Sequence, residues 1–256
     1  MIYPCKICDS DSFHIASRLV KNANSYFRLA SYYRCTNCRF AFGDFFDNIQ
    51  SLVIEDFYKY PDYLKYDHWA RFEHDGIGPG RREILLRSLQ IAEENLRKKP
   101  QRVLIYGNGM SKIISLLNSG GNSFQVFATF SYTGHPNEIT QREFPKYYQT
   151  FDCIIAAEVF EHFVNPINDF ANMLKFLKPK GWIVGTTGSL EQYSKIHLEN
   201  PLHYLFGNPS NGHVAFYSRE SIGVLATKLG LIDNTDLASQ FGHDSRKWRI
   251  ILGLRS

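Results

Sequence analysis

Residues Phe151 to Thr187, FDCIIAAEVFEHFVNPINDFANMLKFLKPKGWIVGTT, restrict the chain more than any other stretch. The apolar run Cys153–Ala157, flanked by Asp152 and Glu158, reads as a buried strand. Phe170, Met173, Leu174 and Leu177 then recur at helical spacing. Lys178-Pro-Lys-Gly181 predicts the end of that helix, and Trp182–Val184 a second buried strand. Strand, helix and strand at this spacing make a βαβ unit with a parallel sheet and a right-handed crossover. Chemistry in an open parallel sheet collects at the carboxyl ends of its strands. Glu158, Glu161 and His162 follow such an end.

Further elements extend the same pattern. Arg81 to Lys99 predicts a helix with Leu85, Leu89, Ala92 and Leu96 on one face, entered through Gly76-Ile-Gly-Pro-Gly80 and followed by Pro100. Val103-Leu-Ile-Tyr106-Gly107-Asn108-Gly109-Met-Ser111 predicts a strand, a glycine turn and a helix start, where a cofactor can approach bare backbone. Phe124 to Thr129 is the next expected strand, and little chain separates it from Asp152 for a further helix and strand. Ser221 to Leu229, closed by Gly230, predicts a helix, and Trp248 to Leu252 a last strand. Cys153 reads as an inert core thiol.

Four of the five cysteines form two Cys-x-x-Cys pairs, Cys5/Cys8 and Cys35/Cys38. Each pair can grip one side of a tetrahedral zinc, and four thiolates leave no open position, so the expected role is structural. Reduced thiols or a redox pair are the alternatives. Residues 9–34 between the pairs exceed the usual ribbon spacing and hold a predicted hairpin, with Phe13-His-Ile and Tyr32-Tyr-Arg34 as strands. So short a segment has little core of its own, so metal binding would supply its folding energy. The aromatics between Phe57 and Phe72, Tyr63 among them, suit either a lid over a ligand or a connector that packs on the main domain. The expected organisation is a zinc module over 1–45, an aromatic connector over 46–100 and a Rossmann-like domain over 101–256.

The remaining composition excludes several classes. A net charge of +4 is too mild to argue for nucleic acid. No apolar run approaches the roughly 20 residues that span a bilayer. The opening MIYPCKICDSD lacks the basic-then-apolar layout of a signal peptide, which points to a cytoplasmic protein.

The pattern FDxI…EVxEHxxxP…LKPxGW resembles the fourth and fifth strands of class I S-adenosylmethionine-dependent methyltransferases, a likeness that runs from about Gln101 to Ser256. It implies a Rossmann-like α/β sandwich, S-adenosylmethionine as cofactor and a small-molecule acceptor such as a sugar, glycan precursor or secondary metabolite. Tyr106, Gly107, Asn108, Gly109 and Glu158 would then face the cofactor, and Phe130 holds the position of the ribose anchor. The family usually carries an acidic residue at the places of Ile105 and Phe130 and a glycine at that of Ser111. These departures favour the alternative of a binding or scaffold protein that kept the fold without the cofactor.

Glu161-His162 resembles the Glu-His pair of sugar C-methyltransferases, which also carry an N-terminal Cys-x-x-Cys zinc module. Glu158-x-x-Glu161-His162 is similar to a cluster of quinone-pathway O-methyltransferases that can hold a divalent metal. Glu161 and His162 are the expected base or acceptor-positioning pair, or else a cap for the helix that starts near Pro166. HYLFGNPSNGHVAFYSRES resembles an insertion beside the pocket of the same branch. On that likeness His203 and Tyr217 would line the acceptor pocket, and His213 would join the catalytic group or serve as a structural histidine; Tyr63, from the aromatic segment read as a possible lid, would join the acceptor pocket.

Overall fold

The computed structural model describes residues 2–21, 27–44, 47, 79–107, 124–129, 137–188, 190, 213–235 and 247–254. In chain order the strands are β1 (Tyr3–Pro4), β2 (Asp11–Lys21), β3 (Phe27–Cys35), β4 (Ala41–Gly43), β5 (Arg102–Ile105), β6 (Gln125–Thr129), β7 (Glu138–Ile139), β8 (Phe151–Ala157), β9 (Leu177–Gly188), β10 (Ala215–Phe216), β11 (Leu231–Asp233) and β12 (Lys247–Leu254). The α-helices are α1 (Pro79–Leu96), α2 (Pro166–Leu174) and α3 (Arg219–Lys228). Short 3-10 turns cover Gln141–Tyr147 and Phe160–His162. The chain divides into two compact units that are not consecutive stretches. One holds Met1–His68, Glu161–Asp169 and Gly188–Leu225; the other holds Trp69–Phe160, Phe170–Thr187 and Ala226–Ser256.

The second unit carries a seven-stranded sheet in the order β11-β12-β9-β8-β5-β6-β7. Counted from β5, that is 6-7-5-4-1-2-3, a doubly wound order with the last strand set between the fifth and sixth. β7, β6, β5, β8 and β9 run parallel in sequence, and β11 pairs antiparallel with β12. The period of two explains the core. Val103, Ile105, Cys153, Ile155, Trp182 and Val184 face Leu85, Leu89 and Ala92 of α1, as the helical spacing predicts. Pro79 opens α1, where its missing N–H costs nothing, and Arg97 leaves it with φ 53°. The aromatic side chains beyond this core pack among themselves. Phe160 stacks on Phe170 at 4.8 Å, and Phe127, Phe151 and Phe176 form a second group. Gly185 is required there: a Cβ would stand 2.3 Å from the Phe160 ring.

Asp152 ties the amino ends of two neighbouring strands. Its Oδ2 accepts from the amides of Gln101 and Arg102, both at 2.9 Å, and Lys178 donates to Oδ1 at 2.9 Å. Burial opposes its ionisation, but Lys178 and the two amides outweigh burial and hold the carboxyl below its usual range.

Two sequence readings need correction. Leu177 lies in β9, paired with Phe151, and the helix ends at Leu174. Leu177 is as buried as its spacing suggests, but a strand satisfies that burial. Lys178-Pro-Lys-Gly181 is therefore an irregularity within β9, where the register jumps from Leu177 to Trp182 and Lys180 takes φ 66°. The cap of α2 is Asn165, whose Oδ1 accepts from the Asn168 amide and whose own amide donates to Asp169. Glu161 and His162 occupy the preceding 3-10 turn.

The first unit contains a five-stranded antiparallel sheet, β1-β2-β3-β4-β10. The predicted hairpin is present, with Phe13 opposite Arg34 and His14 opposite Tyr33. β10 comes from far along the chain and pairs Ala215 with Phe42. Its neighbour Tyr217 packs fully buried on Phe40 at 5.2 Å. Ser218 caps α3, accepting from the Ser221 amide while its hydroxyl donates to the Cys38 carbonyl at 2.7 Å. One serine thus joins a helix start to a cysteine turn.

Candidate functional site

The two cysteine turns are built alike. Cys5 and Cys35 donate their amides to Ser10 and Phe40 carbonyls, and Asp9 and Arg39 follow with φ 64° and 59°. Amides of Ile7 and Asn37 point at the sulfurs of Cys5 and Cys35. Cys5 and Cys38 sulfurs lie 3.6 Å apart, Cys8 and Cys35 sulfurs 3.4 Å. The hydrogen bond from Cys38 pulls the Cys5 thiol down to about 5. Four converging sulfurs with donated amides fit a tetrahedral thiolate zinc, and the donor set has no room for substrate.

A different chemistry sits where the strand order of the parallel sheet reverses, between β5 and β8. The Tyr106 amide donates to Ile155 at 2.8 Å and closes the end of β5. Gly107 follows with φ 105°, where a Cβ would meet Val159 at 2.6 Å. That backbone turn admits only glycine. Its amide points at the Thr129 hydroxyl, 3.4 Å away. Glu158 leaves β8 with φ 54°, an uncommon conformation for a carboxylate residue that is often kept at functional sites. Its Oε1 accepts from Thr186 at 3.1 Å, and its amide donates to the Thr186 carbonyl at 3.0 Å. The strain is held by a two-point clamp. A bare glycine turn and a fixed carboxylate at a switch point fit the amino-acid end of a nucleoside cofactor.

In the first unit, Glu161, His162 and His213 bring their ligand atoms within 4.8 Å of one another. Glu161 is only 4% exposed, while both histidines are half-buried. The two imidazoles meet edge to face at 4.9 Å. The Val214 amide donates to the Glu161 carbonyl at 2.8 Å, and the Val214 carbonyl accepts from Gly43 at 2.9 Å, so the backbone itself fixes this meeting. Tyr217 is wholly buried and packs on Phe40. Burial, with the charges of Asp169 and Glu161, holds its hydroxyl far above the usual range. Tyr63, Asn108, Gly109, Ser111, Phe130 and His203 lie outside the described residues, as does the aromatic segment 48–78. Sequence reasoning missed Thr129, Thr186 and Val159. The threonines that close apolar strands were the available signal, since a hydroxyl at a strand end can serve neighbouring loops.

The family model described as "Methyltransferase domain" matches residues 76–233, more than half of the chain. The chain belongs to that methyltransferase family, and its parallel sheet is the class I S-adenosylmethionine-dependent methyltransferase fold. Among solved structures, the plantazolicin methyltransferase BpumL in complex with a triazolic desmethylPZN analog and SAH is similar, at 12% identity and TM-score 0.56, covering 80% of this chain and 95% of that one. A Burkholderia thailandensis 1,6-didemethyltoxoflavin-N1-methyltransferase with bound 1,6-didemethyltoxoflavin and S-adenosylhomocysteine gives 10% identity and TM-score 0.49, covering 80% and 87%. By sequence, no curated protein matches significantly. No described helix is long and apolar enough to cross a membrane.

Proposed function

We propose that this protein transfers a methyl group from S-adenosylmethionine to a small-molecule acceptor, a sugar, glycan precursor or secondary metabolite. The observation that carries the reading is the strained, clamped pair of Gly107 and Glu158 at the switch point of a methyltransferase sheet. The SAH complex of the similar BpumL fold supports the same ligand class. Bound S-adenosylmethionine would supply an electrophilic methyl group. Gly107 would give its backbone to the methionine end, Tyr106, Asn108, Gly109 and Phe130 would add further cofactor contacts, and Glu158 would oppose the cofactor's positive charge. Glu161, His162 and His213 would position the acceptor or take its proton, with an imidazole suited to proton transfer near neutral pH. His203 and Tyr63 would line the acceptor side. Cys5, Cys8, Cys35 and Cys38 would hold a structural zinc in an N-terminal module ahead of the Rossmann-like domain.

One observation favours the scaffold alternative. Ile105, at the place of an expected acidic residue, is sealed in the core against α1. Calorimetric titration with S-adenosylmethionine and S-adenosylhomocysteine separates the two readings. Micromolar binding is expected; no heat and no thermal shift up to millimolar cofactor would overturn methyl transfer. Given binding, Glu161→Ala with His162→Ala should abolish turnover of an acceptor without loss of cofactor affinity.

A further inference from the structure

We infer that Glu161, His162 and His213 form a binding site for one divalent transition-metal ion, separate from the four cysteines. Two imidazoles and one carboxylate are the donor set of open metal sites: three protein ligands hold the ion and leave positions for water or an oxygen-bearing ligand. The separation is close to what such a site needs. Donors at about 2.1 Å from a common ion stand roughly 3 to 3.5 Å apart, so side-chain shifts of about 1 Å complete the set. The present spread, within 4.8 Å, demands no backbone movement.

Three further features favour a site over a chance meeting. The ligands come from two chain segments that a backbone hydrogen bond, Val214 to Glu161 at 2.8 Å, locks together. The edge-to-face arrangement of His162 and His213, 70° between ring planes, lets ring nitrogens converge without one ring covering the other. Glu161 is buried while both imidazoles are partly exposed, so an ion seated here would have a sheltered carboxylate on one side and access from solvent on the other. Glu158 does not belong to the set. The grouping therefore rests on His213, brought in from the end of a distant segment.

The donors differ from the thiolates in softness, and this makes the two sites distinguishable. Cobalt(II) at four cysteines gives intense sulfur-to-metal absorption; cobalt(II) at two imidazoles and a carboxylate does not. An ion held here would offer its open positions to an acceptor with two adjacent oxygens. That last step rests on the proposed methyl transfer, whereas metal binding does not.

The test is metal analysis of the full chain after zinc loading and dialysis. Two ions per chain are expected in the wild type. One ion should remain in His213→Ala and in His162→Asn, with the thiolate-cobalt absorption unchanged in both. Circular dichroism checks that each variant folds, and the half-exposed His162 gives a second route if His213→Ala does not. A single ion in the wild type, or a second ion that persists in a folded variant, overturns the site. Cofactor titration of the same samples is independent, so loss of the metal proposal and loss of the methyltransferase reading are told apart.

Discussion

The described interiors of the two units differ in kind. The second unit buries a continuous apolar layer between α1 and a sheet of mostly parallel strands, where nearly every inward position is Val, Ile, Leu, Ala or Trp. The described part of the first unit has an aromatic cluster that runs from Tyr3 and Tyr33 through Phe42 and Phe40 to Tyr217, and four converging cysteines. Paired Cys-x-x-Cys turns suit a structural zinc, and an ion held there would tie the two turns together. With the proposed zinc in place, stability in one chain would come from packing in one region and from coordination in another.

The sharpest way to break this contrast is to remove the metal. A chelator, or Cys35→Ser, is expected to strip hydrogen-exchange protection from residues 3–43 while β5 and β8 stay protected. A structural zinc supplies about 10–16 kcal/mol of apparent binding energy. Equal loss in both units would defeat the contrast. In the other direction, Phe170→Ala should destabilise the second unit by about 3–5 kcal/mol through the cavity left beside Phe160, with zinc content unaltered. Urea unfolding followed alongside metal analysis checks both halves of that statement.

Smaller effects separate the electrostatics. Asp152→Asn should cost about 1–3 kcal/mol at neutral pH, because Lys178 and two backbone amides lose their charged partner. Since the folded carboxyl is held below its ordinary value, its contribution is present above about pH 4 and fades as pH falls through the lowered folded value. Acid titration of stability should show that limb in the wild type and not in the variant. Asp169, in the first unit, has the opposite sign. Burial raises its carboxyl to about 6, so stability declines as pH rises from about 4 to about 6. Asp169→Asn should flatten this decline, the smallest change of the four, visible as a pH-independent melting midpoint over that window.

Much of the second unit was legible because parallel strands buried on both faces read as apolar runs and α1 shows its spacing openly. Leu177 was misassigned because periodicity reports burial and not the element that provides it. The acceptor-side cluster was legible in part. Glu161-His162 stands in one motif, while Tyr217 stands in a second one, the string from His203 to Ser221, and is buried in the core. A sequence likeness ranks residues by position along the chain, while exposure depends on what packs across from them.

By itself the sequence determined the strand-helix-strand unit, the glycine turn before Asn108 and the paired cysteine turns, because each follows from local spacing and backbone freedom. The tertiary structure alone decided that β10 completes the N-terminal sheet, that Thr129 and Thr186 serve Gly107 and Glu158, and that His213 joins Glu161 and His162. Such partners lie tens of residues apart, and nothing local records a contact whose formation depends on how the whole chain closes.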